Sequence, residues 1–265
     1  MRLETVGLGK TFGDGVEALR GVSLSLVDGE FVSLVGPSGC GKSTLLAILA
    51  GLSEPSAGAV LIDGEPAGAL LGRIGYMPQR DLLMQWRTTV ENAAIGLELA
   101  GVTRREARER AQAQMARFGL TGFERKRPSA LSGGMRQRAA LLRTFLAGRD
   151  VLLLDEPFGS LDALTREAMR EWLLGVWEAD RKTILLVTHD VEEAVFLSDR
   201  VYVMSGRPGA VQAEVEIALP RPRALELTES AQFAELRARL LGPLRAQARA
   251  QLGVAWSAGG VGRMV

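Results

Sequence analysis

Apolar and polar residues change their spacing several times along this chain, and each change marks an element. Between residues 1 and 35, short apolar stretches alternate with turns: "LETVGLGKTF", "VSLSLVDGE" and "FVSLVG". Valine and phenylalanine between Asp-Gly turns predict strands. "FVSLV" is an uninterrupted apolar run, the pattern of a strand buried on both faces. It leads into "GPSGCGKSTLLAILAGL", where glycines give way to helical spacing. "GAVLIDGEPA" and "RIGYMPQ" read as further strands. From about 90 to 147 the chain is rich in alanine, arginine, glutamate and glutamine, which predicts a helical insertion. Thr103 with Glu106 three residues later has the form of a capping box. Ala107, Ala111, Met115 and Phe118 then fall at helical spacing.

Strand character returns at "VLLLDEP" and "TILLVTHD", with the helical pattern "LTREAMREWLLGVWEAD" between them. Strand, helix, strand with buried apolar strands predicts parallel pairing. "RVYVMSGRPGAV" adds a strand and a Pro-Gly turn. "PRPR", residues 220 to 223, resembles a boundary and divides a domain at 1–220 from a tail at 221–265. In that tail Phe233, Leu236 and Leu240 make an amphipathic stripe, which Gly242-Pro243 is expected to interrupt. The end, "GVAWSAGGVGRMV", is expected to be loose.

Composition narrows the class. The 265 residues are 47% apolar and 24% charged, values of a soluble globular protein with a sizeable core. A net charge of +1 offers no broad basic field for nucleic acid. The basic residues of "TRREARERAQAQMARF" alternate with acids, as on a solvated helix face. The single cysteine, Cys40, closes no internal disulfide, which fits a reducing compartment. The N-terminus lacks the apolar core of a signal peptide. No apolar run approaches the ~20 residues needed to span a bilayer. Work at a membrane would require another chain to do the spanning.

Two segments carry phosphate chemistry. "GPSGCGKS", Gly36 to Ser43, fits the phosphate-loop pattern between a predicted strand and a predicted helix. Its glycines let backbone N–H groups curl around an anion, and the following helix offers its positive end to the same anion. Lys42 would reach the β- and γ-phosphates, and the Ser43 hydroxyl would bind Mg²⁺. Cys40 is either a small residue that fits the loop or a reactive thiol. "VLLLDEP" carries Asp155 to a sheet edge, where a carboxylate can hold Mg²⁺, and puts Glu156 where it could polarise a water. The only histidine, His189, ends "LLVTHD", where an apolar run meets an aspartate. Imidazole is the side chain best suited to hold or move a proton near neutral pH.

"LSGGMRQRAALLRTFLAG", residues 131 to 148, decides among phosphate-loop proteins. Ser132, Gly133 and Gly134 suit an anion-binding turn at a helix start, which makes sense as a site closing on a nucleotide held by another copy. Here the chain resembles the ATP-binding cassette family over roughly its first 215 residues, with the motifs in family order. These are Phe12 in "KTF", the loop at 36 to 43, Gln79 in "YMPQ", "LSGGM", "LLLDEP", "SLD" at 160 to 162, and His189.

The resemblance implies an α/β fold. It has a phosphate-loop NTPase (RecA-like) core with a mainly parallel sheet, an N-terminal antiparallel β subdomain and an inserted α-helical subdomain. It implies an ATPase using ATP and Mg²⁺. ATP would lie on Gly36, Pro37, Ser38, Gly39, Cys40, Gly41, Lys42, Ser43 and Thr44. Phe12 would stack on adenine, although a buried core aromatic is the competing reading. Gln79 would touch Mg²⁺ or the attacking water, and His189 the γ-phosphate and that water. Ser132, Gly133 and Gly134 would meet the γ-phosphate across a dimer interface that also holds Asp162. Two positions depart from the family pattern: Met135 replaces the usual glutamine, and Phe12 the commoner tyrosine.

"YMPQRDLLMQWRTTVENAA" and "MSGRPGAV…LPRPR" resemble the group that imports nitrate, sulfonates, taurine and pyrimidine precursors of thiamine. That implies a homodimer under integral-membrane permease chains, peripheral to the cytoplasmic side of a bacterial inner membrane, served indirectly by an extracytoplasmic solute-binding protein. Met84 and Trp86 either line the permease groove or pack between the two subdomains. A phosphate-loop kinase or GTPase would have no use for "LSGG". A soluble cassette acting as a mechanical clamp is the remaining alternative.

Overall fold

The computed structural model describes residues 1–251. Its strands are β1 (Leu3–Thr11), β2 (Glu17–Leu26), β3 (Phe31–Val35), β4 (Ala57–Ile62), β5 (Glu65–Pro66), β6 (Gly75–Met77), β7 (Val151–Asp155), β8 (Thr183–Thr188), β9 (Arg200–Met204) and β10 (Val211–Glu216). Its helices are α1 (Lys42–Leu49), α2 (Thr89–Leu99), α3 (Arg104–Gln114), α4 (Gly133–Leu146), α5 (Ala163–Asp180), α6 (Val191–Leu197) and α7 (Ala231–Gln251).

The alternation of side chains along β3, β7 and β8 explains why these strands read as unbroken apolar runs. Phe31, Val35, Leu152, Leu154, Ile184 and Leu186 enter one core. Val32, Leu34, Val151, Leu153, Leu185 and Val187 enter a second core on the other face. A sheet covered on both faces needs apolar residues at every position. It is six-stranded, ordered β10-β9-β3-β8-β7-β6, and parallel except where β10 pairs antiparallel with β9. The predicted strand–helix–strand unit is there as β7, α5 and β8, with β7 and β8 paired in parallel. A separate antiparallel sheet, β2-β1-β4-β5, closes the second core.

Between β6 and β7 lie α2, α3 and α4, the helical stretch anticipated near residues 90 to 147. Ala107, Ala111, Met115 and Phe118 are all buried in the first core. Thr103 caps α3 by accepting from the Glu106 N–H. The fully reciprocal capping box is at Thr88 and Glu91, which start α2.

The C-terminal region is tied to the core on both sides of Gly242-Pro243, where the sequence predicts an interruption. Arg221 and Arg223 of "PRPR" both pack against the rest of the chain. Arg223 is buried and donates to the carbonyls of Val195, Phe196 and Ser198, the unpaired acceptors at the end of α6. Burial, reinforced by the Arg221 charge, lowers its pKa to about 10. Arg221 holds Asp199 and lies 4.3 Å from the centre of the Trp177 ring. In addition, α7 runs through Pro243. Phe233, Leu236 and Leu240 anchor its first half in the core, Leu244 packs against that core beyond the proline, and Gln247 donates to the Met204 carbonyl. Tertiary contacts on both sides of Pro243 outweigh the lost helical hydrogen bond. The expectation for "GVAWSAGGVGRMV" falls outside the described residues.

Candidate active site

Gly36 to Gly41 leave the C-terminal end of β3 and enter α1 directly. The turn into the helix is made by Gly41 at a φ of +104°. A Cβ there would lie 2.8 Å from the Ala18 carbonyl, so close approach as well as backbone conformation demands glycine. No side chain caps α1 and no acid sits in its first turn. Its N–H groups and the positive end of its dipole therefore remain available to an anion. Lys42 is buried, with Nζ inside the loop donating to the carbonyls of Gly36 (2.8 Å) and Pro37 (3.0 Å).

Cys40 is 1% exposed, and burial raises its thiol pKa. A protonated, enclosed sulfur favours the small-residue reading over the reactive one.

The loop forms one wall of a cleft of about 510 Å³ that also exposes Ala18, Thr44, Gln79, Glu156, His189 and Arg207. Three predicted residues converge at one end. Gln79 Nε2 donates to Oε2 of Glu156 at 3.2 Å, and His189 Nδ1 lies 3.3 Å from the same oxygen. Oε1 of Glu156 has no such partner among the described residues. Glu156 has a φ of +46°, a left-handed conformation for a residue with a Cβ. Its N–H is fixed to the Val187 carbonyl of β8 at 2.9 Å. The backbone turns here at a cost of about 1–3 kcal/mol and aims the carboxylate out of the sheet into the cleft.

Asp155 lies below, at the end of β7, and is buried. Burial raises its pKa, opposed by the Ser43 hydrogen bond and the Lys42 charge. Tyr76, partly buried beside Asp155, has its hydroxyl pKa pushed up to about 12 by that burial and by the neighbouring carboxylate. Ser43 and Asp155 together offer hard oxygen donors fit for Mg²⁺. Among the described residues no cluster of His, Cys, Asp or Glu forms a complete metal cage.

His189 is set by the residues after it. Thr188 accepts from the Asp190 N–H and donates to Oε2 of Glu193 at 2.6 Å, while Asp190 caps α6. Arg166 of α5 approaches both Asp190 and Glu193 at 3.7 Å. Burial raises the Glu193 pKa to about 7. The native chain therefore binds more protons here than the unfolded chain, and its stability falls as pH rises from the ordinary glutamate range through about 7. Glu193→Gln is expected to melt above wild type at pH 8, with the gap narrowing toward pH 5. Melting curves across that range check this, and a pH-independent gap would contradict it.

Other predicted residues lie elsewhere. Phe12 is 42% exposed, so it is not a buried core aromatic, yet it does not line the cleft. Ser132 and Asp162 are exposed at the N-caps of α4 and α5, where their side chains accept from Met135 and Thr165. Gly133 and Gly134 pack toward Leu161 and Thr165. Ser132 and Asp162 thus share one surface outside the cleft. Trp86 is 72% exposed, which removes the subdomain-packing alternative for it.

Two residues of this region gave no warning in the sequence. Asn92 of α2 is fully buried and bonds both the N–H and the carbonyl of Met84. Arg143 of α4 donates to the carbonyls of Asp81 and Leu82. Together they pin the segment after Gln79.

Comparison with known proteins gives the family. The family model described as ABC transporter matches residues 19–159. The formylaminopyrimidine import ATP-binding protein ThiZ of Halalkalibacterium halodurans is 44% identical over 208 residues, 78% of this chain and 81% of that protein. The nitrate import ATP-binding protein NrtD of a Synechocystis species is 43% identical over 223 residues, 83% and 84% of the two chains. Among solved structures, a dimeric ATP-binding cassette in a post-hydrolysis state, bound to ADP and Pi, aligns with a TM-score of 0.72 and 31% identity. That match covers 82% of this chain and all of the other.

Proposed function

Since the chain belongs to the ATP-binding cassette transporter family, we propose that it is the ATP-hydrolysing subunit of a bacterial importer. In this reading it works as a homodimer beneath separate permease chains, at the cytoplasmic face of the inner membrane. The solute is a small one of the kind named for its relatives, such as nitrate or a pyrimidine, or else a sulfonate or taurine. An extracytoplasmic binding protein would deliver it.

The observation that carries the hydrolytic reading is the convergence of Gln79 and His189 on one oxygen of Glu156 at the end of a phosphate-loop cleft. Oε2 is held by both contacts, which leaves Oε1 to accept a proton. Water attacks the γ-phosphorus, its proton passes to Glu156, and the bond to the β-phosphate oxygen breaks to release ADP and phosphate. Lys42 and the N–H groups before α1 hold the phosphates in line, and His189 supports the charge that develops on the γ-phosphoryl oxygens. Mg²⁺ would be held by Ser43 and Asp155 with Gln79 at its edge, and when bound it neutralises phosphate charge. Phe12 would supply the adenine face.

Ser132, Gly133, Gly134 and Asp162 serve a second copy. Two chains facing head to tail would lay the α4 turn of each over the open side of the other's γ-phosphate, making two equal sites.

Among the described residues no helix is long and apolar enough to cross a membrane. Leu82 and Trp86, 60% and 72% exposed, follow Gln79 on the segment that Asn92 and Arg143 hold rigid. Exposed apolar groups on a pinned backbone suit a partner surface. Trp86→Ala is expected to leave the melting temperature unchanged and to weaken capture by the permease chains in pull-down from membranes. Truncation of a core tryptophan would instead cost about 3–5 kcal/mol. Undiminished capture would count against the permease assignment.

A further inference from the structure

The turn between β9 and β10, "SGRPG", joins the nucleotide cleft through a residue that the hydrolytic reading does not use. Arg207 lines the cleft together with Ser38, Gly39 and Lys42. It is exposed, and among the described residues its guanidinium has no hydrogen bond and no ion pair. That contrasts with Arg200, Arg221 and Arg223 of the same region, all engaged with carboxylates or carbonyls.

The backbone carrying Arg207 is fastened to β2 and packs against the phosphate loop. Gly209 donates to the Ala18 carbonyl and accepts from the Arg20 N–H, each at 2.9 Å. Its Cα side lies so close to the phosphate loop that a Cβ would sit 2.0 Å from the Cys40 carbonyl. The Ser205 hydroxyl closes the turn by accepting from the Ala210 N–H at 2.8 Å. Only glycine permits this contact, and it fixes where the preceding arginine stands. A long cation with no protein partner, carried on a pinned turn at the wall of an anion site, is placed to meet phosphate oxygens.

We infer that Arg207 is a further phosphate-binding residue of this cleft, adding a second side-chain cation to Lys42. The inference rests on the reading that the cleft holds ATP. Lys42 stands within the loop and Arg207 lines the same cleft from the β9–β10 turn, so the two charges would share the nucleotide's phosphates. A guanidinium gives paired donors that a lysine in the same place would not.

The test is calorimetric titration of the full chain with AMP-PNP, ADP and AMP at fixed ionic strength. Arg207→Ala is expected to weaken AMP-PNP about tenfold, the usual scale for one charge-assisted contact. The loss should shrink with ADP and fall within about twofold for AMP. Arg207→Lys should recover part of the AMP-PNP affinity. Melting temperatures should match wild type, because the side chain makes no contact in the fold. Unchanged AMP-PNP affinity in Arg207→Ala, or an equal loss for AMP, would overturn the inference. Lys42→Ala run in parallel separates the two levels: if it binds AMP-PNP like wild type, the cleft itself has been misassigned.

Discussion

Replacing Glu156 by glutamine is expected to slow ATP hydrolysis by about 10²–10⁴-fold, the range for loss of a general base. ATP should still bind and should now hold two chains together. The expectation has three steps. Oε2 of Glu156 is engaged by Gln79 and His189, while Oε1 has no partner among the described residues of the cleft that Glu156 lines. An amide keeps the shape and the polar contacts but cannot take a proton from water. The exchange also removes one negative charge beside the triphosphate, which favours the ATP-loaded state. The backbone strain at φ +46° is the same for either side chain, so stability should not change. Light scattering after size exclusion, with and without ATP, reads the assembly. A variant that hydrolyses ATP at the wild-type rate would remove Glu156 as base. One that binds ATP and stays monomeric at every concentration would remove the head-to-tail dimer. Adding Ser132→Arg tells the two apart, because an arginine at the exposed N-cap of α4 should block closure while leaving the Lys42 loop loaded.

The parts of this site legible in the sequence are those whose chemistry is local. "GPSGCGKS" carries its own strand, turn and helix start, and the structure has them in that order. "VLLLDEP" announces its strand because both faces of β7 are buried. The meeting of Gln79, Glu156 and His189 was not local. Those residues end or follow three different strands, and only the parallel order β8-β7-β6 brings them to one edge. The helix through Gly242-Pro243 and the engaged arginines of "PRPR" are not legible for a related reason. Arginine usually marks solvent and proline usually ends a helix. Here the bare carbonyls at the end of α6 accept from Arg223, and Leu240 and Gln247 hold α7 on both sides of Pro243. Arg207 was hidden in a turn signal, since nothing in "RPG" says which strand edge the turn will rest against.

His189→Ala should lower kcat by on the order of 10²-fold while changing ATP affinity little, as for removal of one donor aimed at transition-state charge. The imidazole is exposed in the cleft, so removing it leaves no cavity in the core. In the proposed reading, ground-state binding comes from the loop, α1, Lys42 and Arg207, while the contact made by the His189 side chain is with Glu156. What His189 contacts is Oε2 of Glu156, and what it faces is the end of the cleft where the γ-phosphate would lie. A group placed there contributes most when charge shifts onto the phosphoryl oxygens, so its loss should appear in turnover and not in the dissociation constant. The neighbouring anchors make the test selective. Thr188, Asp190 and Glu193 fix the backbone on either side, so His189→Ala should preserve the turn and the melting temperature. Equal losses in kcat and affinity would assign His189 to nucleotide binding. Unchanged turnover would leave the only imidazole in the chain without a chemical role.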